Sequence, residues 1–228
     1  MRDRAPTGVC QHLEMITPGF SRICGAAVVT AWALLDLPTA MPAASAEPCP
    51  DVNVVFARGT HEPPGVGGVG QAFIDSLSSQ MPSRSVTSYA VNYPASDDYI
   101  QSAAVGSDDV RARIQDIVAN CPNTKLVLGG YSQGAAVTEL ATSAMPPQVA
   151  GRVAAVALFG DPTSAFSSML AGGTPLPTVG PAYAAKTINL CVPDDPICSA
   201  GGDFMAHVSY IQSGMTSQAA TFAASKLS

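Results

Sequence analysis

The segment Lys125–Ala136 reads KLVLGGYSQGAA, and its pattern is that of a strand running directly into a helix. Lys125–Leu128 is a short apolar run with a β-branched valine, typical of a buried strand, and the Ala-rich segment Gln133–Ala144 predicts a helix. Between them, Gly130-Tyr131-Ser132-Gln133-Gly134 matches G-x-S-x-G, in which glycines let the strand and helix approach closely. We therefore expect the Ser132 hydroxyl to be exposed as a nucleophile beside the positive end of a helix. The alternative is a glycine-rich turn with an idle serine.

The rest of the chain alternates strand and helix patterns around this segment. Four further apolar runs predict strands at Val52–Ala57, Val86–Val91, Val153–Phe159 and Thr187–Val192. Helical patterns occur around residues 72–81, over Ser107–Asn120 and over Ser209–Leu227, with residues 95–104 as a polar loop. This alternation predicts a three-layer α/β/α sandwich with a central, mainly parallel five-stranded sheet.

The composition excludes several classes of function. The 228 residues include 47% apolar and 12% charged residues, and the net charge is −6 without a Lys/Arg cluster. A nucleic-acid partner is therefore not expected. The glycine-rich stretch Gly65–Gly70 lacks the spacing of a nucleotide-binding loop, and no cysteine or histidine spacing fits a zinc site. We expect a monomer without a metal or other cofactor.

The first 46 residues have the features of a secretory leader. Arg22 precedes the apolar run Ile23–Leu35, and Ala44-Ser45-Ala46 is a small-residue cleavage pattern. The run is shorter than the roughly 20 residues that span a bilayer, so a retained anchor is the less favoured alternative. We expect cleavage before Glu47, a single mature domain over residues 47–228, and an extracellular or envelope-associated protein. Because the segment before the apolar run is long, Met15 is an alternative start.

The cysteines indicate disulfides in the exported chain. Two of the six cysteines fall in the predicted leader, and four remain: Cys49, Cys121, Cys191 and Cys198. Four cysteines in an exported chain imply two disulfides with three possible connectivities. The last two are close enough in sequence to close one loop, which pairs Cys49 with Cys121.

A nucleophilic serine requires a base within hydrogen-bond reach and an acid that orients the base. In the order Ser, acid, His, His207 is the only histidine after Ser132 and is the base by elimination; the alternative is an ordinary surface histidine. His61 precedes the serine and is expected near the site or simply exposed. Four acids remain open: Asp161, Asp194, Asp195 and Asp203. A carboxylate inside a disulfide-closed loop would be held in place, which favours Asp194 or Asp195.

These residues together resemble the cutinase family, in particular its secreted actinobacterial branch. The matching stretches span almost the whole mature chain: Ala57-Arg58-Gly59-Thr60, Gly129–Gly134, Cys191-x-x-x-Asp195-x-x-Cys198 and His207. The resemblance implies that Asp195 rather than Asp194 is the acid, and it supports both disulfides. It also implies an oxyanion hole made by Gln133, through its backbone N–H, and by Thr60, where the family often has serine. Such donors contribute roughly 3–4 kcal/mol each to transition-state stabilisation.

The resemblance implies a serine esterase that cleaves carboxylic esters through an acyl-enzyme. No long insertion separates the nucleophile helix from the fourth strand, so we expect an open groove and short-to-medium acyl chains. Phe204, Met205 and Val208 would either grip an acyl chain or belong to the core. Cutin-like polyesters, small lipids and acylated polysaccharides remain open as substrates. The alternatives are an acyltransferase or acetyl-polysaccharide esterase on the same fold, and a binding or antigen protein with little turnover.

Overall fold

Five strands form the centre of the fold: β1 Val52–Ala57, β2 Val86–Ala90, β3 Lys125–Tyr131, β4 Val153–Phe159 and β5 Thr187–Leu190. The computed structural model describes residues 48–228, so the predicted leader, with Cys10 and Cys24, lies outside the described residues. The strands are ordered β2-β1-β3-β4-β5, and each neighbouring pair is parallel. Strand β3, which leads into Ser132, is therefore the central strand, in agreement with the burial of its residues from Leu126 onward.

Seven α-helices are found in the described residues: α1 Gly67–Gln80, α2 Tyr99–Asn120, α3 Gln133–Ala144, α4 Pro147–Ala150, α5 Ala165–Leu170, α6 Phe204–His207 and α7 Met215–Leu227. A 3₁₀ turn, Pro181–Lys186, precedes β5. None of the helices within residues 48–228 is long and apolar enough to cross a membrane.

The helices cover both faces of the sheet, which confirms the predicted three-layer α/β/α sandwich. Along β1, Val52, Val54 and Phe56 point into a core shared with α1 and α7. Val55 and Ala57 point into the opposite core, shared with α2 and α3. This strict alternation within one strand is the period-2 geometry of a sheet that is buried on both sides.

Two predicted helix starts were wrong. Helix α2 begins at Tyr99 rather than Ser107, so most of the expected polar loop is helical. Its first turns bury the small residues Ser102 and Ala103, and a Cβ at Gly106 would collide with Val137 of α3. Small residues that allow close helix packing give no apolar stripe, so the periodicity is lost there. The last helix begins at Met215 rather than Ser209, because a turn ends at left-handed Gly214.

Two disulfides fix segments that carry no regular structure of their own. Cys49–Cys121 joins the residues before β1 to the end of α2, across a sequence separation of 72. Cys191–Cys198 closes a short loop directly after β5. This is the pairing expected from the sequence, and the second loop contains Asp195.

Removing the two disulfides should have different consequences. Replacing Cys49 and Cys121 by serine frees a long loop of the unfolded chain and should lower the free energy of unfolding by about 2–4 kcal/mol, with little change in the ester hydrolysis that the family resemblance implies. Replacing Cys191 and Cys198 should lower kcat, because it releases the loop that holds Asp195. Urea unfolding and hydrolysis of a para-nitrophenyl ester measure the two effects. An equal loss of kcat in both double variants would contradict this separation.

Candidate active site

Ser132 lies in a strained turn between the end of β3 and the start of α3. Its backbone has φ 56° and ψ −121°, a conformation that is costly for any residue other than glycine. Gly130 and Gly134 permit it, because a Cβ on Gly130 would overlap the backbone at Gly134, and one on Gly134 would overlap the Ala57 carbonyl. The Ser132 N–H donates to the Phe159 carbonyl at 2.9 Å. The turn therefore presents the hydroxyl to a cavity at the carboxyl edge of the sheet.

The structure brings three of the predicted side chains together in one line. The His207 Nε2 atom lies 3.0 Å from the Ser132 Oγ atom, and its Nδ1 atom lies 2.8 Å from Asp195 Oδ2. With Nδ1–H donating to the carboxylate, Nε2 is free to accept the serine proton. The imidazole is 13% exposed and the carboxylate is fully buried. This geometry can activate a hydroxyl for nucleophilic attack.

Asp195 remains a carboxylate despite its burial. Its Oδ1 atom accepts the Ile197 N–H at 2.8 Å, and its Oδ2 atom accepts from His207 and from the Tyr210 hydroxyl at 2.6 Å. Burial opposes ionisation, but these hydrogen bonds outweigh it and hold the pKa of Asp195 below its ordinary value. The acid is therefore charged at neutral pH, as a group that orients a histidine must be.

The other three candidate acids do not contact His207. Asp194 is exposed at a left-handed φ of 68°, which turns the chain so that its neighbour Asp195 faces inward. Asp203 is exposed and caps α6 by accepting the Met205 N–H at 2.8 Å. Asp161 is buried behind the end of β4 and binds other polar groups.

Thr60 and Gln133 line the same cavity as Ser132. Gln133 begins α3, so its backbone N–H has no acceptor within the helix and is free for a ligand. Its side chain is fully buried, donates to the Ser96 carbonyl at 2.9 Å and accepts from Ser102 Oγ at 2.9 Å. The side chain thus joins α3 to the loop before α2 and to the first turn of α2.

The loop that carries Thr60 is held by an Arg–Glu clip whose role sequence reasoning missed. The buried Arg58 guanidinium donates to the carbonyls of Glu62 at 2.7 Å and Tyr93 at 2.9 Å. The Glu62 carboxylate accepts the N–H groups of Gly59 at 2.6 Å and Gly68 at 2.8 Å. A charged pair four residues apart, directly after a buried strand, was the signal in the sequence. These hydrogen bonds all lie within the chain, so they hold the loop beside Ser132 in place without a bound substrate.

The cavity is about 550 Å³ in volume, and its lining includes a polar and an apolar set of residues, which we call its polar side and its apolar side. The polar side is formed by Thr60, Ser96 and the exposed pair His61 and Asp97, whose Nε2 and Oδ2 atoms are 3.0 Å apart. The apolar side consists of five side chains: Pro162, Leu170, Ile197, Phe204 and Val208.

The apolar side is largely exposed rather than part of the core. Phe204 and Val208 are each 56% exposed and Leu170 is 55% exposed, and all three line the cavity. Met205 is 72% exposed but does not line it. Of the three residues left open between acyl contact and core, two therefore line the cavity, and none of the three is buried in the core.

Besides Asp195, two further carboxyl groups are buried among the described residues, and they form a pair that does not line the cavity. Glu139 of α3 and Asp161 are close neighbours, and their Oε2 and Oδ1 atoms are buried with no other hydrogen-bond partner within the described residues. Glu139 Oε1 accepts the Val179 N–H at 3.1 Å, and Asp161 Oδ2 accepts from Asn189 at 2.5 Å. Burial, followed by the charge of Asp161, raises the pKa of Glu139 to about 9. Glu139 therefore holds the proton of the pair at neutral pH and donates it to Asp161.

This pair should make stability fall as the pH rises. Between the ordinary glutamate pKa and about 9, the folded chain binds a proton that the unfolded chain does not. The contribution of this proton to the free energy of unfolding is fully present below that window. Across the window it declines by up to about 1.4 kcal/mol per pH unit. Glu139→Gln keeps a donor toward Asp161 and an acceptor for Val179 but cannot titrate. Its free energy of unfolding, measured with urea from pH 5 to 9, should therefore fall less steeply than that of the wild type.

The exposed carboxylate Asp75 provides the control. Asp75→Asn should leave the pH dependence of unfolding parallel to that of the wild type. If Glu139→Gln is also parallel to the wild type, the shared proton is refuted.

Comparison with known proteins places this arrangement in a family. A family model described as Cutinase matches residues 48–227. The chain is similar to Carboxylesterase Culp1 of Mycobacterium tuberculosis, with 66% identity over 206 residues that cover 90% of this chain and 95% of the relative.

Two solved structures share the fold. A Trichoderma reesei cutinase in complex with a C11Y4 phosphonate inhibitor superposes with a TM-score of 0.65 at 38% identity, covering 79% of this chain and 78% of that one. The catalytic core domain of acetyl xylan esterase from Trichoderma reesei superposes with a TM-score of 0.68 at 27% identity, covering 78% and 100%.

Proposed function

The chain belongs to the cutinase family and is a carboxylic ester hydrolase, and from that premise we propose that it works through an acyl-enzyme on Ser132. The observation that carries the proposal is the hydrogen-bonded series Ser132–His207–Asp195, which opens onto the cavity. A hydroxyl, an imidazole and a buried carboxylate in this order are the parts that nucleophilic acyl transfer requires.

In the first half-reaction, Ser132 Oγ bonds to the ester carbonyl carbon while its proton moves to His207 Nε2. The carbonyl oxygen becomes an oxyanion, for which the Gln133 N–H and the Thr60 N–H and hydroxyl are the proposed donors. The carbon–oxygen bond to the alcohol then breaks, and the imidazolium returns the proton to the departing alcohol. The acyl group remains on the serine as an ester.

In the second half-reaction, water replaces the alcohol. His207 takes a proton from water as the water oxygen bonds to the acyl carbon. When the second oxyanion collapses, the bond between the acyl carbon and Ser132 Oγ breaks, the carboxylic acid leaves, and His207 returns the proton to Oγ. Asp195 stays ionised in both halves, because its hydrogen bonds keep its pKa below the ordinary value. It holds the imidazole in one tautomer and stabilises the imidazolium that forms twice in each cycle.

We further propose that the acyl chain lies along the apolar side of the cavity and that short-to-medium acyl esters are preferred. Three exposed apolar side chains, Leu170, Phe204 and Val208, offer a surface that an acyl chain would cover. The polar side, with His61 and Asp97, favours a hydroxyl-bearing alcohol as the leaving group. That polarity, with the likeness to an acetyl xylan esterase, makes an acetylated polysaccharide the second candidate substrate.

We also propose that the protein is secreted. The two disulfides within the described residues suit an oxidising compartment. The leader pattern before Glu47 supports secretion.

Substitution of the proposed catalytic residues tests the mechanism. Ser132→Ala should lower kcat for para-nitrophenyl butyrate by a factor on the order of 10⁶, and Asp195→Asn by a factor on the order of 10⁴. A fluorophosphonate probe should label the wild type and leave Ser132→Ala unlabelled. Ser143→Ala, on the exposed side of the same helix, is the control and should behave as the wild type. Wild-type turnover by Ser132→Ala would end the proposal.

The apolar side can be tested with a series of acyl chain lengths. Phe204→Ala removes an apolar contact of about 1–2 kcal/mol and should lower kcat/KM for hexanoate and octanoate esters roughly five- to thirtyfold, while acetate is little affected. Met205→Ala removes the neighbouring apolar side chain, which is also exposed but lies outside the cavity lining, and serves as the control. A uniform loss across all chain lengths in Phe204→Ala would exclude this surface as the acyl site.

A further inference from the structure

Tyr210 is a buried tyrosine whose hydroxyl is hydrogen bonded to Asp195, the proposed acid of the active site. It lies in the turn between α6 and α7 and is 0% exposed. Its hydroxyl donates to Asp195 Oδ2 at 2.6 Å and accepts the Val192 N–H at 3.3 Å. Burial, followed by the hydrogen bond to Asp195, raises the pKa of Tyr210 above its ordinary value. The hydroxyl therefore remains a donor throughout the working pH range.

The same carboxylate oxygen receives two donors. Asp195 Oδ2 accepts from His207 Nδ1 at 2.8 Å and from Tyr210 at the shorter distance of 2.6 Å. A hydrogen-bond donor withdraws negative charge from the oxygen that it binds. Each of the two hydrogen bonds therefore makes Asp195 Oδ2 a weaker acceptor for the other donor. The tyrosine thus competes with the imidazole for the negative charge that would stabilise an imidazolium.

Aromatic rings also hold the imidazole in place. The Tyr131 ring stacks on the His207 ring with centroids 5.0 Å apart, and the Tyr131 hydroxyl donates to the His207 carbonyl at 2.6 Å. The Tyr210 ring meets His207 edge-on at 6.3 Å and Tyr131 edge-on at 5.7 Å. Because the phenol of Tyr210 is fixed on two sides by rings and at its tip by Val192, it fixes Asp195 in turn.

We propose that Tyr210 is a positioning residue that sets both the orientation and the basicity of the Asp195 carboxylate, and that it thereby tunes the pH at which His207 acts as a base. This inference rests on the proposed function, because it presumes that His207 takes the Ser132 proton. Tyr210 does not line the cavity, so it acts through Asp195 and not on the substrate.

The sign of the effect follows from the charge on Oδ2. Without the tyrosine hydroxyl, the negative charge on Oδ2 is shared with one donor only, and the imidazolium beside it is favoured. His207 would then lose its proton at a higher pH, so the acidic limb of kcat/KM moves upward. A tyrosine that served only as packing would change the melting temperature and leave that limb in place.

A shift of the acidic limb of kcat/KM could also come from other charged groups near Asp195 and His207. Glu62 faces Tyr131 from the loop after β1, and Asp203 caps α6, on which His207 lies. Both are unchanged by a substitution at Tyr210. The titratable groups of the network and its surroundings are Glu62, Tyr131, Asp195 and His207, together with the cap residue Asp203 and the three groups that line the same cavity as His207, namely His61, Asp97 and Tyr99.

The test is Tyr210→Phe, which keeps the ring and removes one oxygen. We expect the acidic limb of kcat/KM for para-nitrophenyl butyrate to move up by about half a pH unit or more, and plateau kcat to fall about five- to tenfold. Tyr183→Phe is the matched control, because Tyr183 is 1% exposed, lies in the opposite core and has a hydroxyl without a hydrogen-bond partner in the described residues. It should leave the limb unmoved. An unmoved limb in Tyr210→Phe would overturn the proposal.

A double-mutant cycle separates this role from the proposed function. In an Asp195→Asn background the carboxylate is absent, so adding Tyr210→Phe should move the limb no further and change kcat by less than it does in the wild type. Full additivity would show that Tyr210 does not act through Asp195. Failure of the proposed function itself would appear differently, as retained activity and probe labelling in Ser132→Ala.

A measurement on the intact chain covers the case in which Tyr210→Phe does not fold. The protein can be produced in cells supplied with 3-fluorotyrosine, which replaces each tyrosine by a more acidic phenol that is a stronger hydrogen-bond donor. The limb should then move in the opposite direction, to lower pH, in the otherwise wild-type enzyme. A limb that stays in place or moves upward on fluorination would contradict the inference.

Discussion

The close approach of α3 to the end of β1 is the constraint on which the rest of the structure depends. Gly134 lies so near the Ala57 and Arg58 carbonyls that no larger residue fits. This contact accompanies the positive-φ turn at Ser132, and Thr60 and Gln133 line the same cavity as that turn. The strain of the turn is balanced by packing on both sides of β3, whose residues from Leu126 onward are buried.

The fold was largely predictable because its signals are local. Strand periodicity and the G-x-S-x-G pattern each lie within a dozen residues, and the strands Val52–Ala57 and Val153–Phe159 were predicted with their exact bounds. The start of α2 was missed because its first turns bury Ser102, Ala103 and Gly106, whose small size is the packing signal. Hydrophobic patterns do not report close helix contacts made by small residues.

The site was less predictable from the residues themselves. His207 followed by elimination, but the choice between Asp194 and Asp195 came from a family resemblance, since both are acidic residues in one loop. What separates them in space is the left-handed backbone of Asp194, which a sequence does not display. Tyr210 could not be identified either, because its contact with Asp195 depends on how two loops meet. A buried tyrosine is otherwise ordinary core material.

Residues 48–228 contain two buried acidic centres with opposite protonation, and the number of donors explains the difference. Asp195 receives three hydrogen bonds, from Ile197, His207 and Tyr210, which compensate its desolvation and keep it charged. Asp161 receives one from an amide and faces a second carboxyl group, so a proton is retained between the two acids. Burial alone would protonate all three acids. Asp195 beside His207 is therefore charged because the surrounding loop and Tyr210 supply hydrogen-bond donors. Glu139 and Asp161 lack such donors and share a proton instead.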